Sequence, residues 1–234
     1  MEAKVRYHPA RLVSCYAAGG GMTIVTVEPG AEVAASYTSP GQYVEVRVGG
    51  QTGYFVLAGP PGERPWELVM RAGGGASDLL LAAPVELELE VTAAIGEGFP
   101  MEAARGRPLL VALSGTGVAA GRSLVRHRIA DGDAAQTQVW LGVRTHAELP
   151  LAADLDAWRA AKVPVVVCVS QPGDVPTSGL VSRGYVQDVI ATRVAAGSLA
   201  EGHVFAAGVT SMVDALRALA PRLGISPDRV RTNH

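Results

Sequence analysis

From residue 11 to about residue 92 the apolar positions fall in short runs rich in Val, Tyr and Leu, broken every dozen residues or so by Gly and Pro. Runs of this kind predict the strands of an antiparallel barrel or sandwich. The expected strands are 11–16, 23–27, 42–48, 54–57, 67–71 and 85–91. The last alternates as Val85-Glu-Leu-Glu-Leu-Glu-Val91, which leaves one face wet. Between the final two strands, Ala72-Gly-Gly-Gly-Ala-Ser-Asp-Leu-Leu-Leu81 reads as a glycine-rich turn entering a short helix. Ser77 is placed to cap that helix, and the turn is a candidate anion site.

After Arg105-Gly-Arg-Pro108 the pattern changes to apolar strands alternating with longer helical segments. This predicts a parallel sheet with helices on both faces. Strands are expected at 109–113, 138–143, 163–169, 203–207 and near Val230, and helices at about 118–130, 151–160, 185–194 and 211–223. Ligands of such sheets bind beyond the carboxyl ends of the strands. That edge collects the loops 114–117, 144–145, 170–172 and 208–211. In the first of them Gly115 and Gly117 flank Thr116, where a tight turn lets backbone approach a phosphate at a helix N-terminus. The same strand-turn-helix also occurs in α/β proteins that bind nothing there.

Composition narrows the functional classes. The 234 residues are 48% hydrophobic and 18% charged, as in a globular protein with a sizeable core. A formal charge of -2, with no Lys or Arg run, offers no electrostatic footprint for nucleic acid or an anionic membrane. No apolar stretch is long enough to span a bilayer, and Met1-Glu-Ala-Lys-Val-Arg-Tyr7 lacks a signal peptide's apolar core, so a cytoplasmic protein is expected. Cys15 and Cys168 both fall in strand-like runs and read as buried core thiols; alone they cannot ligate an iron–sulfur cluster or a structural zinc. His8, His127, His146, His203 and His234 show no metal-ligand spacing and read as surface or satisfied residues. Asp154 and Asp156 suit the first turn of a helix and read as structural. Ser114 also fails as a hydrolase nucleophile, because Ala112 and Thr116 stand where a nucleophile elbow needs glycine.

A β-barrel with a glycine-rich turn, followed by a nucleotide-binding half, resembles ferredoxin–NADP reductase-like flavoenzymes along nearly the whole chain. The matching pieces run in family order. Pro40-Gly-Gln-Tyr-Val44 and Tyr54-Phe-Val-Leu-Ala-Gly-Pro-Pro-Gly62 resemble barrel and flavin-contacting strands. Gly73-Gly-Gly-Ala-Ser-Asp-Leu79 resembles the pyrophosphate loop, and Ser114-Gly-Thr-Gly-Val-Ala-Ala120 the family's Gly-Gly-Thr-Gly-Ile-Ala-Pro turn. Leu141-Gly-Val-Arg-Thr145, Gly184-Tyr-Val186 and Ala206-Ala-Gly-Val-Thr-Ser-Met-Val213 resemble later nucleotide-side motifs. The resemblance implies an FAD-binding barrel domain over 1–104 and a Rossmann-like NAD(P)-binding domain over 105–234. It also implies electron transfer from NAD(P)H through FAD to a separate acceptor, either a protein or a small molecule, with a partner subunit possible.

Carried over residue by residue, Gly74, Gly75, Ala76 and Ser77 should bind the FAD pyrophosphate, with Tyr54, Phe55, Val56 and Leu57 along the isoalloxazine. Gly115, Thr116 and Gly117 should face the nicotinamide nucleotide, with Arg144 at its ribose or phosphate. Ala207, Gly208 and Val209 align with the family's nicotinamide-side Cys-Gly-Pro, and Met212 stands at the position of the family's Met.

The chain also departs from the family. Where the flavin strand usually reads Arg-x-Tyr-Ser, it has Gly53, Tyr54, Phe55 and Val56, which removes a charge-assisted bond and a hydroxyl. Arg71 is the candidate replacement for the charge. Ala207 replaces the family's thiol. In Ser170-Gln-Pro172, Gln171 stands where NADP-preferring members place a basic residue, which favours NADH. These losses keep a second reading open: a reductase-like subunit or nucleotide- or flavin-binding module without hydride transfer.

Overall fold

The computed structural model describes residues 5–171, 173 and 180–233. Pro172 of the 170–172 loop and His234 lie outside the described residues. The first half contains β1 (His8–Gly19), β2 (Met22–Pro29), α1 (Ala31–Ala34), β3 (Tyr43–Val48), β4 (Gln51–Val56), β5 (Trp66–Met70), α2 (Ala76–Ala82), β6 (Glu88–Val91) and α3 (Met101–Ala104). Its six strands pair antiparallel in the order β4-β3-β6-β1-β2-β5. The two outer strands meet where Leu57 bridges Leu68 and the Ala58 N–H donates to the Glu67 carbonyl at 2.7 Å, rolling the sheet into a barrel. Leu12, Val25, Val44, Val46, Leu68 and Leu80 fill the interior.

The second half contains β7 (Leu109–Ser114), α4 (Val118–Ala130), β8 (Thr137–Val143), α5 (Ala152–Ala160), β9 (Val165–Val169), β10 (Val181–Arg183), α6 (Val186–Arg193), β11 (His203–Ala207), α7 (Thr210–Leu223) and β12 (Val230–Arg231). These strands are parallel, in the order β10-β9-β8-β7-β11-β12. Along β7, Leu109, Val111 and Leu113 face the layer of α4 and α5, while Leu110 and Ala112 face the layer of α6 and α7. Both faces are therefore covered, which is why the strand reads as an unbroken apolar run.

Several expectations need correction. The alternating 85–91 segment enters the sheet only at Glu88, because Glu86 turns the chain with φ 70°. The 163–169 run starts pairing at Val165, after Lys162 turns with φ 72°. Edge strand β10 and the four-residue helices α1 and α3 were not expected from the pattern. Cys168 is buried as expected, but Cys15 is exposed. His203 is buried, not on the surface, and its Nδ1 has no hydrogen-bond partner among the described residues.

A charged clamp joins the two halves. Arg122 on α4 donates from Nη1 to Glu67 Oε2 at 2.6 Å and to the Ala58 carbonyl at 3.1 Å, and from Nε to Asp154 Oδ1 at 2.8 Å. Arg126, one turn further, bonds Glu67 at 2.9 Å and Glu63 at 2.9 Å. Tyr37 and Ser123 share a hydroxyl hydrogen bond of 2.5 Å across the same seam. Burial alone would raise the Glu67 pKa, yet the hydrogen bonds and charges of Arg122 and Arg126 hold it below the usual glutamate value. Asp154, in the first turn of α5, pairs with Arg122 of the adjacent helix α4.

Candidate functional site

The carboxyl ends of β7, β8, β9 and β11 converge on one edge of the parallel sheet. A cavity of about 280 Å³ opens there, lined in part by Ser114, Gly115, Arg144, Ser170 and Met212. The barrel contributes Met22 and Arg71 to its wall. A second, smaller cavity of about 200 Å³ lies against the barrel, lined by Tyr54, Phe55, Val56, Ser77 and Thr116, again with Arg71. Arg71 is common to both linings, so the two spaces adjoin at this residue. Its guanidinium makes no hydrogen bond or ion pair among the described residues.

The sheet-side cavity rests on two interlocked turns. β7 ends at Ser114, and a 3-10 turn over Gly115–Gly117 leads directly into α4. A Cβ on Gly117 would stand 2.2 Å from the Ala207 carbonyl oxygen, and one on Gly208, where φ is 148°, would stand 2.1 Å from Ser114 Oγ. Only glycine lets the two turns come this close. The N-termini of α4 and α7 consequently lie side by side, and the positive ends of their dipoles favour an anion beyond them. Around the rim, Arg144 pairs with Glu148 at 3.2 Å, and the Gln171 N–H donates to the Arg144 carbonyl at 2.7 Å. Cys168 also lines this cavity; burial pushes its thiol up to about 12, so it stays protonated and uncharged at neutral pH.

The loop before α2 adjoins the barrel-side cavity through Ser77. Gly74 and Gly75 take φ values of 98° and 59°. No atom lies within 4 Å of a Cβ built on Gly73 or Gly74. This loop leaves room for a ligand against the first turn of α2. Ser77 is not the cap: Gly75 occupies the N-cap position, and the Ser77 hydroxyl donates back to the Gly74 carbonyl at 2.8 Å. The Gly73 N–H is taken by Asp78 Oδ1 at 3.0 Å. On β4, Tyr54 is exposed and meets Tyr43 edge-on at 5.8 Å, while Val56 is half-buried against the interface.

The structure brings ten of the eighteen expected site residues to the two spaces; Gly74, Gly75, Gly117, Gln171 and Gly208 line neither, and neither do Leu57, Ala76 and Ala207. Leu57 is fully buried inside the barrel and presents no side chain to either cavity. Ala76 is also in the barrel core, so only its backbone faces the loop. Ala207 is buried, with its carbonyl against Gly117. Ser114, Glu148, Tyr185 and Val209 line the sheet-side cavity without having been singled out as ligand contacts. Ser114, Tyr185 and Val209 lay inside segments already read as nucleotide-side motifs, whereas Glu148 lay in none.

Comparison with known proteins agrees with this geometry. Residues 111–218 match the family described as the oxidoreductase NAD-binding domain. The ferredoxin–NAD(P)(+) reductase component of naphthalene 1,2-dioxygenase/salicylate 5-hydroxylase systems from Ralstonia sp is 29% identical over 203 residues, covering 83% of this chain and 60% of its own length. Two solved structures share the fold. The ferredoxin reductase in carbazole 1,9a-dioxygenase superposes with a TM-score of 0.81 at 20% identity, over 100% of this chain and 70% of that one. A ferredoxin NADP+ reductase from Neisseria gonorrhoeae, solved with bound FAD and NADP, gives 0.77 at 13% identity, over 99% and 98%. This chain therefore spans three-fifths of the Ralstonia reductase component. No helix among the described residues is long and apolar enough to cross a membrane.

Proposed function

We propose that this chain, ferredoxin–NADP reductase-like in fold, is a flavin-dependent oxidoreductase that passes electrons from NAD(P)H, with NADH favoured, through FAD to a separate acceptor in the cytoplasm. Residues 1–104 would hold the flavin and residues 105–234 the nicotinamide nucleotide. The observation that carries this reading is Arg71, which lines both cavities and whose guanidinium has no hydrogen-bond or ion-pair partner among the described residues. A lone cation between two spaces, each edged by a glycine-rich turn at a helix N-terminus, fits a pair of phosphate-bearing ligands.

The residues present fit FAD despite the missing arginine of the flavin strand. A Cβ on Gly53 would lie 3.0 Å from the Phe55 ring and 3.2 Å from the Ala76 methyl, so α2 packs onto β4 where that arginine would emerge. Arg71, at the end of the neighbouring β5, supplies the cation instead. The open loop at Gly74 and Gly75, with Ser77 fixing its shape, is the pyrophosphate cradle, and Tyr54, Phe55 and Val56 form the wall for the ring. When bound, a flavin supplies hydride acceptance and the release of electrons singly or in pairs. The chain's own residues position the two nucleotides and exclude water between them. Gly115 and Met212 line the space for the nicotinamide nucleotide, and Gly117 and Gly208 let its two turns close together, while Thr116, expected there, lies instead on the barrel-side lining. Arg144, Ser170 and Gln171 lie at its far end. Glu148 neutralises Arg144 there, which removes a partner for a 2′-phosphate and supports NADH.

Val56 and Ala207, which offer no hydrogen-bonding side chain where the family has a hydroxyl and a thiol, favour a second reading: a flavin- or nucleotide-binding module without turnover. Purified protein is expected to be yellow and to bleach when NADH is added anaerobically. Colourless protein that takes up no added FAD overturns the flavin-dependent reading. Yellow protein that neither nicotinamide reduces establishes the second reading in its place.

A further inference from the structure

Ser114 is the last residue of β7, and its backbone is extended, with φ -150° and ψ 150°. Its Oγ accepts a hydrogen bond from the Val209 N–H at 3.2 Å. Val209 is the N-cap residue of α7. The hydroxyl therefore ties the turn that opens α7 to the turn that opens α4. The hydroxyl occupies space that only a glycine at 208 leaves open, since a Cβ there would lie 2.1 Å from Ser114 Oγ and 3.0 Å from the Ser114 nitrogen. The hydroxyl proton is not used in this bond, because the oxygen is the acceptor. It is donated to no described residue, and Ser114 lines the sheet-side cavity. A hydroxyl held by its lone pair, with its proton free, between two helix N-termini is a pre-oriented donor for an acceptor oxygen of a ligand. Ala207, in the adjoining turn, brings no polar side chain of its own.

We propose that Ser114 is a positioning residue for the nicotinamide nucleotide: it locks the Gly208–Val209 turn against the Gly115–Gly117 turn and donates its hydroxyl proton to an acceptor oxygen of the dinucleotide. The proposal rests on the reading of this cavity as the nicotinamide site. It assigns Ser114 two separable contributions, a fixed backbone shape and a direct contact. Alanine at 114 removes both, and threonine keeps the hydroxyl on a residue suited to an extended strand end.

The test is equilibrium binding of NAD+ to the oxidised FAD-loaded protein by calorimetry, alongside the anaerobic rate of flavin reduction by NADH and the melting temperature. Ser114→Ala is expected to raise the NAD+ dissociation constant about five- to ten-fold, the size of one net hydrogen bond. The reduction rate should fall with it, while the melting temperature stays within about 3 °C of the parent. Ser114→Thr should recover most of the affinity. NAD+ affinity and reduction rate unchanged in Ser114→Ala overturn the role. So does a fall in affinity that threonine does not recover while both variants lose stability, because that pattern belongs to a residue that only holds the fold. If the parent protein itself binds no NAD+, the reading of the cavity fails along with the proposal; unchanged binding in the alanine variant removes Ser114 alone.

Discussion

The two halves of the candidate site are built on opposite principles. On the sheet side the turns at Gly115–Gly117 and Gly208–Val209 are pressed together at distances only glycine allows, with Ser114 pinned between them. On the barrel side the loop at Gly73–Gly75 stands open, and Arg71, which shares the cavity lining with Ser77, is held by no partner among the described residues. One region has its shape before a ligand arrives. The other is open, beside a cation without a partner among the described residues. The sheet side should therefore lose affinity when its packing is altered, and the barrel side when its charge is altered. Yet neither space is complete on its own half. Met22 and Arg71 of the barrel wall the sheet-side cavity, and Thr116 and Ala119 of the sheet half wall the barrel-side one.

That mutual dependence makes the clamp at Arg122 the strongest lever. Its side chain is 9% exposed and serves Glu67 and Asp154 together. Arg122→Ala would leave two carboxylates without their main partner at the seam, a loss of about 3–5 kcal/mol for a buried pair broken on one side. A drop in melting temperature well beyond that of any surface arginine variant is the expected result, with weakened retention of both nucleotides. Selective loss of one would show that the halves do not share their walls. The same clamp has a pH signature. Because the folded Glu67 pKa lies below its ordinary value, its contribution is fully present above about pH 4.5 and is lost as pH falls through the lower folded value. The stability gap between the parent and Glu67→Gln should narrow on that acid side and stay constant from pH 6 upward, as read by thermal melts across the range.

The sequence made the sheet half legible and the seam invisible, for physical reasons. The helix expected at 118–130 is found over Val118–Ala130, because a glycine turn sets its start and the periodic apolar positions continue to its end. Strands β7, β8 and β11 fall within one residue of expectation, since burial on both faces leaves uninterrupted apolar runs. Short elements gave no such signal: α1 and α3 have one turn each, and β10 has three residues at an edge. Cys15 reads as an interior strand residue, but β1 shifts register between Leu12 and Ser14 and again between Ala17 and Gly19, which breaks its alternation. Arg122 could be placed on a helix, but its partners lie 55 and 32 residues away, and no local pattern marks such pairs. The site was partly legible for the same reason. Its glycine turns are local features, whereas the place of Arg71 between two cavities emerges only when the barrel is set against the sheet.

Arg71 sharpens the contrast at the next level of effect. Removing an unpaired cation leaves no buried carboxylate behind, so Arg71→Ala should leave the melting temperature of the ligand-free protein almost unchanged. Its expected cost is instead in flavin retention, by about 1.5–3 kcal/mol, the worth of one charge-assisted hydrogen bond, or roughly 10- to 150-fold in the FAD dissociation constant. Arg71→Lys should recover part of that. If fluorescence titration gives equal FAD affinity for Arg71→Ala and the parent, the barrel-side site does not depend on this charge and the contrast with the sheet side disappears.

The smallest expected effect is at Ser77, and it separates shape from charge within the barrel-side loop. Its hydroxyl donates to the Gly74 carbonyl rather than capping α2, so Ser77→Ala removes one exposed loop hydrogen bond and no helix cap. A neutral bond of this kind contributes about 0.5–1.5 kcal/mol when buried and less when exposed. FAD affinity should therefore fall only about two- to five-fold, and adding the variant to Arg71→Ala should give the product of the two separate effects if the loop's shape and the arginine's charge act independently. A combined loss much smaller than that product would mean that Ser77 works by holding the loop where Arg71 can reach the same phosphate, and the barrel-side cradle would then be a coupled unit as tightly specified as the turns of the sheet.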